Sequence, residues 1–247
     1  MERIDLRESR NTLSELAYQH VLNSILSHKL RPGQHLRPEE MADAMGISPT
    51  PVKHALARLS GEGLVQFRGA QGPFVISPSD QELVELFDAR MMCEIRALQE
   101  GIHQVDSTFT ARAENLATRC NALLSATGQD TDARRAAGSA DTAFHLHFMS
   151  LWPNQKVLAW YRQIDIQVRA CVMIETGWPG AFRREWIPSE HRALCEAANR
   201  HDLAAAIDIV CRHLNAAKET LLELRHSGAT SQEGSDGIFH EADPRVL

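Results

Sequence analysis

Along most of this chain, apolar residues recur at the helical spacings of three and four. Leu16, Val21, Leu22, Ile25 and Leu26 form the first such stripe, and Thr12 is placed to cap a helix running to Leu30. The turn Arg31-Pro-Gly-Gln-His-Leu36 follows. Met41, Ala44 and Met45 then share one face of a short helix from Pro38 to Met45. Gly46 stops that helix, because the residue past a helix end often needs positive φ. Ser48 is the candidate N-cap of the next helix, whose first turn tolerates Pro49 and Pro51 because its amides lack internal partners. Val52, Ala55, Leu56 and Leu59 give that helix a buried face, and Glu62-Gly63 breaks it. Only here does the pattern change. Leu64–Arg68 and Pro73–Ile76 read as two short strands around the turn Gly69-Ala-Gln-Gly72. A helix, a glycine turn, a helix with a polar exposed start and a hairpin make a winged helix-turn-helix.

Ser77-Pro-Ser-Asp80 is polar, supplies an N-cap and marks a domain boundary. Beyond it the periodicity predicts helices near 80–101, 107–126, 131–151, 154–176, 188–199 and 202–225, with no convincing strand. The fold class expected is mainly α: a head of three helices plus a small β-hairpin, then an all-α bundle of about six helices. The domains are a mobile arm at 1–11, the winged helix-turn-helix at 12–78, the bundle at 79–226 and a disordered, polar, glycine-rich tail at 227–247. The longest break in the bundle is the loop beginning Gly177-Trp-Pro-Gly-Ala.

Composition narrows the setting. The 247 residues, 43% of them hydrophobic, suffice for two modest cores. No apolar run approaches the roughly eighteen residues of a transmembrane helix, and the start MERIDLRESRN lacks the apolar stretch of a signal peptide. Five scattered cysteines without a CxxC pair indicate neither a disulfide framework nor a thiolate zinc knuckle, so a reduced cytoplasm is expected. The net charge of −6 argues against indiscriminate nucleic-acid binding. Through Ser79, however, nine Lys or Arg face eight Asp or Glu, so the acidity lies almost wholly in the residues beyond it.

Two sets of residues carry candidate chemistry. On the head, Thr50, Lys53, His54 and Arg58 project from the reading helix and Arg68 and Gly69 from the wing, all placed to meet DNA, with Lys53, Arg58 and Arg68 as candidate phosphate ligands. In the bundle, Asp141 and His145 lie one helical turn apart, His191 begins a later helix and His213 sits midway along the last. Three imidazoles and a carboxylate converging there would suit Zn, with Ni or Mn as alternatives. Spacing alone leaves this open, because twelve histidines offer such combinations by chance.

The stretch SPTPVKHALARLSGEGLV resembles the DNA-reading segment of GntR-type bacterial transcription regulators, and Arg31-Pro-Gly matches a phrase common there. Pro49, Lys53 and His54 stand where the family places two arginines and a glutamate. Asp141-Thr-Ala-Phe-His145 with Asn154, then Ser189-Glu-His191, Ala197, Asp202, Ala206 and His213, is similar to the FCD ligand-binding domain of the FadR subfamily. That resemblance implies that Asp141, His145, His191 and His213 hold a divalent metal. Arg90, in an R-x-x-x-E pattern with Glu94, would face the effector pocket. There it clamps a carboxylate or, equally, pairs with Glu94 within its own helix. The resemblance also brings Arg37 and Ser48 near DNA, whereas Glu39, matching an arginine in a relative, binds no phosphate.

The function expected is a cytoplasmic, ligand-responsive transcription regulator, most simply a repressor. It would act as a homodimer on a double-stranded, near-palindromic operator and bind a small carboxylate effector at a divalent metal. Three alternatives stay open. They are a metal-dependent enzyme using the His/Asp site, with Glu190 its one candidate base, a winged helix that binds protein, and a regulator whose effector pocket contains no metal. His147 is read as a surface or packing residue, the tryptophans 152, 160, 178 and 186 as core or pocket wall, His201 as a helix end, and the pairs Arg134-Arg135 and Arg183-Arg184 as solvated charge.

Overall fold

The computed structural model describes residues 6–27, 29–126, 131–176 and 186–226, which fall into two compact units meeting at Ser77 and Pro78. The 177–181 loop, Trp178, the Arg183-Arg184 pair and the 227–247 tail lie outside the described residues.

The first unit holds α1 (Leu6–Leu26), α2 (Pro38–Ala44), α3 (Pro49–Gly61), β1 (Val65–Phe67) and β2 (Pro73–Val75). Helix α1 packs on α3, burying Ala17, Val21 and Ile25 with Leu56 and Leu59, and Leu36, Leu64 and Val75 complete this core. The strands pair antiparallel with Val65 opposite Val75 and Phe67 opposite Pro73. One 3₁₀ turn, Gly69–Gln71, forms the tip.

Three expectations are corrected here. Helix α1 already includes Leu6, so the arm is helical from that point and Thr12 lies inside a helix rather than capping one. The helix also ends at Leu26 instead of Leu30. Leu16 is 54% exposed and Ala44 is exposed, so neither belongs to a buried stripe. At the turn after α2, Gly46 does adopt φ +65°, which a β-carbon would strain.

The second unit is a bundle of α4 (Asp80–Gly101), α5 (Ser107–Ala126), α6 (Thr131–Met149), α7 (Gln155–Thr176), α8 (Trp186–Asn199) and α9 (Leu203–His226). Local chemistry sets several ends. Ser79 and Glu82 form a reciprocal capping box at α4. Asn154 Oδ1 accepts from the amides of Lys156 and Val157, and Asp202 Oδ1 from that of Ala205, so each caps the helix that follows. His201 closes α8 in the left-handed region at φ +56° while its Nε2 lies 2.9 Å from the Val105 carbonyl. The continuous core joins Leu83, Phe87 and Leu98 of α4 with Phe144 and Phe148 of α6, Val168 of α7, Leu194 of α8 and Leu214 of α9. His147 packs as expected, stacked on Phe109 at 3.9 Å. Trp160 does not, being 60% exposed on the outer face of α7. Among the described residues no helix is long and apolar enough to cross a membrane.

Candidate metal centre and DNA-reading head

Helices α6, α8 and α9 bring the four predicted ligands to one point. Asp141, His145, His191 and His213 each offer an atom, and these atoms lie within 4.8 Å of one another. The three imidazole rings form a nearly equilateral triangle, with centroids 5.4, 5.1 and 5.3 Å apart. Asp141 Oδ1 sits 3.4 Å from His191 Nε2 and 3.8 Å from His145 Nε2. Helical geometry explains the first pair, because residues four apart stack on one face. Phe144 explains part of the rest: it stacks on the His191 ring at 4.0 Å and fixes its plane.

Carboxylates behind the cluster orient two of the rings. Glu94 of α4 accepts from His145 Nδ1 at 2.9 Å, and Glu190 accepts from His213 Nδ1 at 2.9 Å. A carboxylate can only accept here, so each Nδ1 carries its proton and each Nε2 lone pair is left for the cluster. His145 Nε2 and both ring nitrogens of His191 are buried without a hydrogen-bond partner. Buried polar atoms seldom go unpaired. An ion with M–N bonds of about 2.1 Å holds tetrahedral ligand atoms roughly 3.4 Å apart, a spacing the Asp141–His191 contact already has. The residues therefore fit a divalent metal.

The electrostatics agree. Burial pushes the His191 imidazole well below its usual range, so it stays neutral. Burial also raises the Asp141 carboxyl, but its basic neighbours, Arg90 among them, outweigh it and hold the carboxyl below its ordinary value.

Arg90 lies one residue removed from the cluster. Its Nε donates to Glu94 Oε1 at 2.8 Å, so the intrahelical pair weighed from sequence does form. The pair is buried rather than solvated, with Arg90 only 4% exposed. Tyr161 donates to the same Glu94 oxygen at 2.7 Å. Asp165, 4.0 Å from Arg90 Nη1, accepts from Thr142 at 2.9 Å through its other oxygen. Arg90 Nη2 and Asp165 Oδ1 remain buried without hydrogen-bond partners. Burial pushes the Asp165 carboxyl up. It pushes Glu94 up too, but His145 and Arg90 outweigh burial and hold Glu94 well below the usual carboxylate range. Sequence reasoning took Glu94 only as Arg90's partner and Glu190 only as a possible base, and it missed Tyr161 and Asp165. Only Glu94, in its R-x-x-x-E, carried a signal.

On the head, Thr50, Lys53 and His54 are exposed on the N-terminal half of α3, and Ser48 precedes it with no side-chain cap bond. The neighbouring cations are already engaged. Lys53 Nζ meets Glu39 Oε1 at 2.8 Å, and Arg37 Nη1 meets Glu40 Oε1 at 2.7 Å. Arg68 lies 4.5 Å over the Phe74 ring beside Gly69, whose φ of +52° starts the wing tip. Arg58, read as a phosphate ligand, instead covers the Tyr18 ring at 3.6 Å and pairs with Glu15 and Glu62.

A winged helix-turn-helix joined to an all-α bundle with a buried Asp/His₃ cluster is the layout of a bacterial transcription regulator. Family models agree on both parts: "Bacterial regulatory proteins, gntR family" matches residues 13–75 and "FCD domain" matches residues 85–216, more than half the chain. The chain belongs to the gntR family, to its branch with an FCD domain. It is similar to the Uxu operon transcriptional regulator of Escherichia coli, with 25% identity over 81% of this chain and 82% of the relative. It is also similar to a probable D-xylose utilization operon transcriptional repressor of Paenarthrobacter nicotinovorans, with 24% identity over 87% of this chain and 92% of the relative. Among solved structures, E. coli McbR/YncC superposes with a TM-score of 0.70 at 18% identity, covering 86% of this chain and 98% of that one, a likeness of fold.

Proposed function

We propose that this regulator is a repressor that holds a divalent metal, most simply Zn, at Asp141, His145, His191 and His213 and senses a small carboxylate there. The observation that carries this reading is the set of buried imidazole nitrogens left without partners and facing one carboxylate. A metal at that point would supply a Lewis-acidic anchor for an effector oxygen. Glu94 and Glu190 hold the His145 and His213 rings in the tautomer that leaves Nε2 free. Arg90, with Nη2 unpaired, gives the effector carboxylate a charge-assisted donor.

Operator DNA is read by Thr50, Lys53 and His54 in the major groove, with Arg37, Ser48, Arg68 and Gly69 at its edges. A homodimer on a near-palindrome supplies the specificity that one head lacks. The effector acts only so far as its affinity differs between the two arrangements of the heads. Three measurements on the full-length protein test this. Metal analysis should find about one divalent ion per chain. Selection from random duplexes should enrich a near-palindrome. A small carboxylate should release that DNA only when the metal is bound. Protein without metal that still binds and responds to carboxylate sinks the metal half of the proposal.

A further inference from the structure

The ion pair between Glu39 of α2 and Lys53 of α3 spans the helix-turn-helix, 2.8 Å from Nζ to Oε1, with side chains 63% and 56% exposed. Such an exposed pair adds little to stability. It also makes Lys53 a poor phosphate ligand, because the attached carboxylate would meet a phosphate oxygen of like charge. What the pair does present is a donor and an acceptor side by side, on the face of α3 that carries Thr50 and His54.

A base-pair edge in the major groove presents the complement. In G·C, guanine O6 accepts and the cytosine N4 amine donates, and their own hydrogen bond holds these atoms about 2.9 Å apart. We infer that Glu39 and Lys53 together read one G·C pair in each half-site: Lys53 donates to O6, and Glu39 accepts the outward N4 proton. The inference rests on the assignment of α3 as the groove-reading helix. A T·A pair also sets an acceptor beside a donor, but less favourably. Its O4 is flanked by the thymine methyl, so the ammonium loses the second acceptor that guanine N7 provides. Its N6 is flanked by adenine N7, which repels the carboxylate. The reversed pairs, C·G and A·T, oppose like to like. Glu39, unsuited to phosphate, thus becomes a specificity-determining residue.

The test uses the full-length protein, wild type, Glu39→Gln and Lys53→Gln, in selection from random duplexes followed by affinity measurements at several salt concentrations. Wild type should enrich a site with an invariant G·C in each half. Each variant should lose about tenfold discrimination at that position only. Lys53→Gln should leave the salt dependence unchanged, since its charge is already neutralised. Two results overturn the inference while leaving α3 as the reader: Glu39→Gln keeping full discrimination at that position, or Lys53→Gln cutting the salt slope by about 0.9, the mark of a lost phosphate contact. If wild type enriches no sequence, the groove-reading assignment falls as well.

Discussion

Glu94 accepts the Nδ1 proton of His145 at 2.9 Å while its other oxygen takes both Arg90 and Tyr161, so one carboxylate joins the candidate ligands to the candidate effector clamp. Replacing it by glutamine keeps the shape and removes the charge that orients the ring. Glu94→Gln should lower metal affinity about 10- to 100-fold, read by competition with a chromogenic chelator. Unchanged affinity would mean that Glu94 serves only Arg90.

His191 differs from the other two histidines because neither of its ring nitrogens has a hydrogen-bond partner. Its removal breaks no hydrogen bond but empties a buried site stacked on Phe144, so the variant without metal should be less stable than wild type and its response to metal is read against its own metal-free form. With metal, wild type should gain about 2.7 kcal/mol at free ion one hundred times the dissociation constant. His191→Ala should lose that gain. Calorimetric scans with and without added Zn decide it, and an equal Zn-induced rise in Tm for the variant would remove His191 from the ligand set.

Much of this was legible from residue order, and the limits are physical. Helical periodicity located all six bundle helices because their apolar faces repeat over about four turns or more. Asp141 and His145 were legible as a pair because a four-residue spacing is local. Convergence with His191 and His213 depends on how α6, α8 and α9 pack, which no local pattern encodes. Leu16 and Trp160 mark the same boundary. An apolar residue on a helix is read as core, yet large apolar side chains also stand exposed on folded surfaces. The ion pairs Lys53–Glu39 and Arg58–Glu15 join helices whose packing no local pattern encodes, so both cations were read as DNA ligands; Arg37–Glu40, three residues apart, was local enough to be read.

Both tyrosines of the chain are held protonated. Burial and the hydrogen bond to Glu62 push Tyr18 up to about 12, and burial drives Tyr161 well above its ordinary value. A folded-state pKa raised above the unfolded one gives stability that is complete below about pH 10 and is lost as pH climbs toward 12. An alkaline titration should therefore show no phenolate absorbance step near pH 10 in the native protein, and a two-tyrosine step there in urea. One tyrosine titrating near 10 in the native chain would contradict the burial of one of these sites.

Gly101 ends α4 against Leu151, and a β-carbon at this position would press into the Leu151 carbonyl and side chain well inside van der Waals contact. Backbone cannot move aside as a flexible side chain can. Gly101→Ala should destabilise the bundle by about 1–3 kcal/mol, seen as a lower urea midpoint for its transition. A neutral result would require the turn before α7 to shift freely.

Arg90 separates charge from geometry. Its guanidinium is buried and paired with Glu94, yet Nη2 faces no acceptor. Arg90→Ala would strand the Glu94 carboxylate, and breaking a buried pair costs about 3–5 kcal/mol, so loss of effector response in that variant would be ambiguous. Arg90→Lys keeps the positive charge beside Glu94 but presents a single ammonium in place of the planar fork. It should remain folded, retain its metal and bind operator DNA, while carboxylates that release wild type from DNA should lose at least tenfold in potency. Fluorescence anisotropy of operator binding, titrated with acetate, malonate and citrate as probes, reads both properties at once. If the lysine variant responds like wild type, Arg90 is a structural partner of Glu94 and the effector carboxylate is held elsewhere.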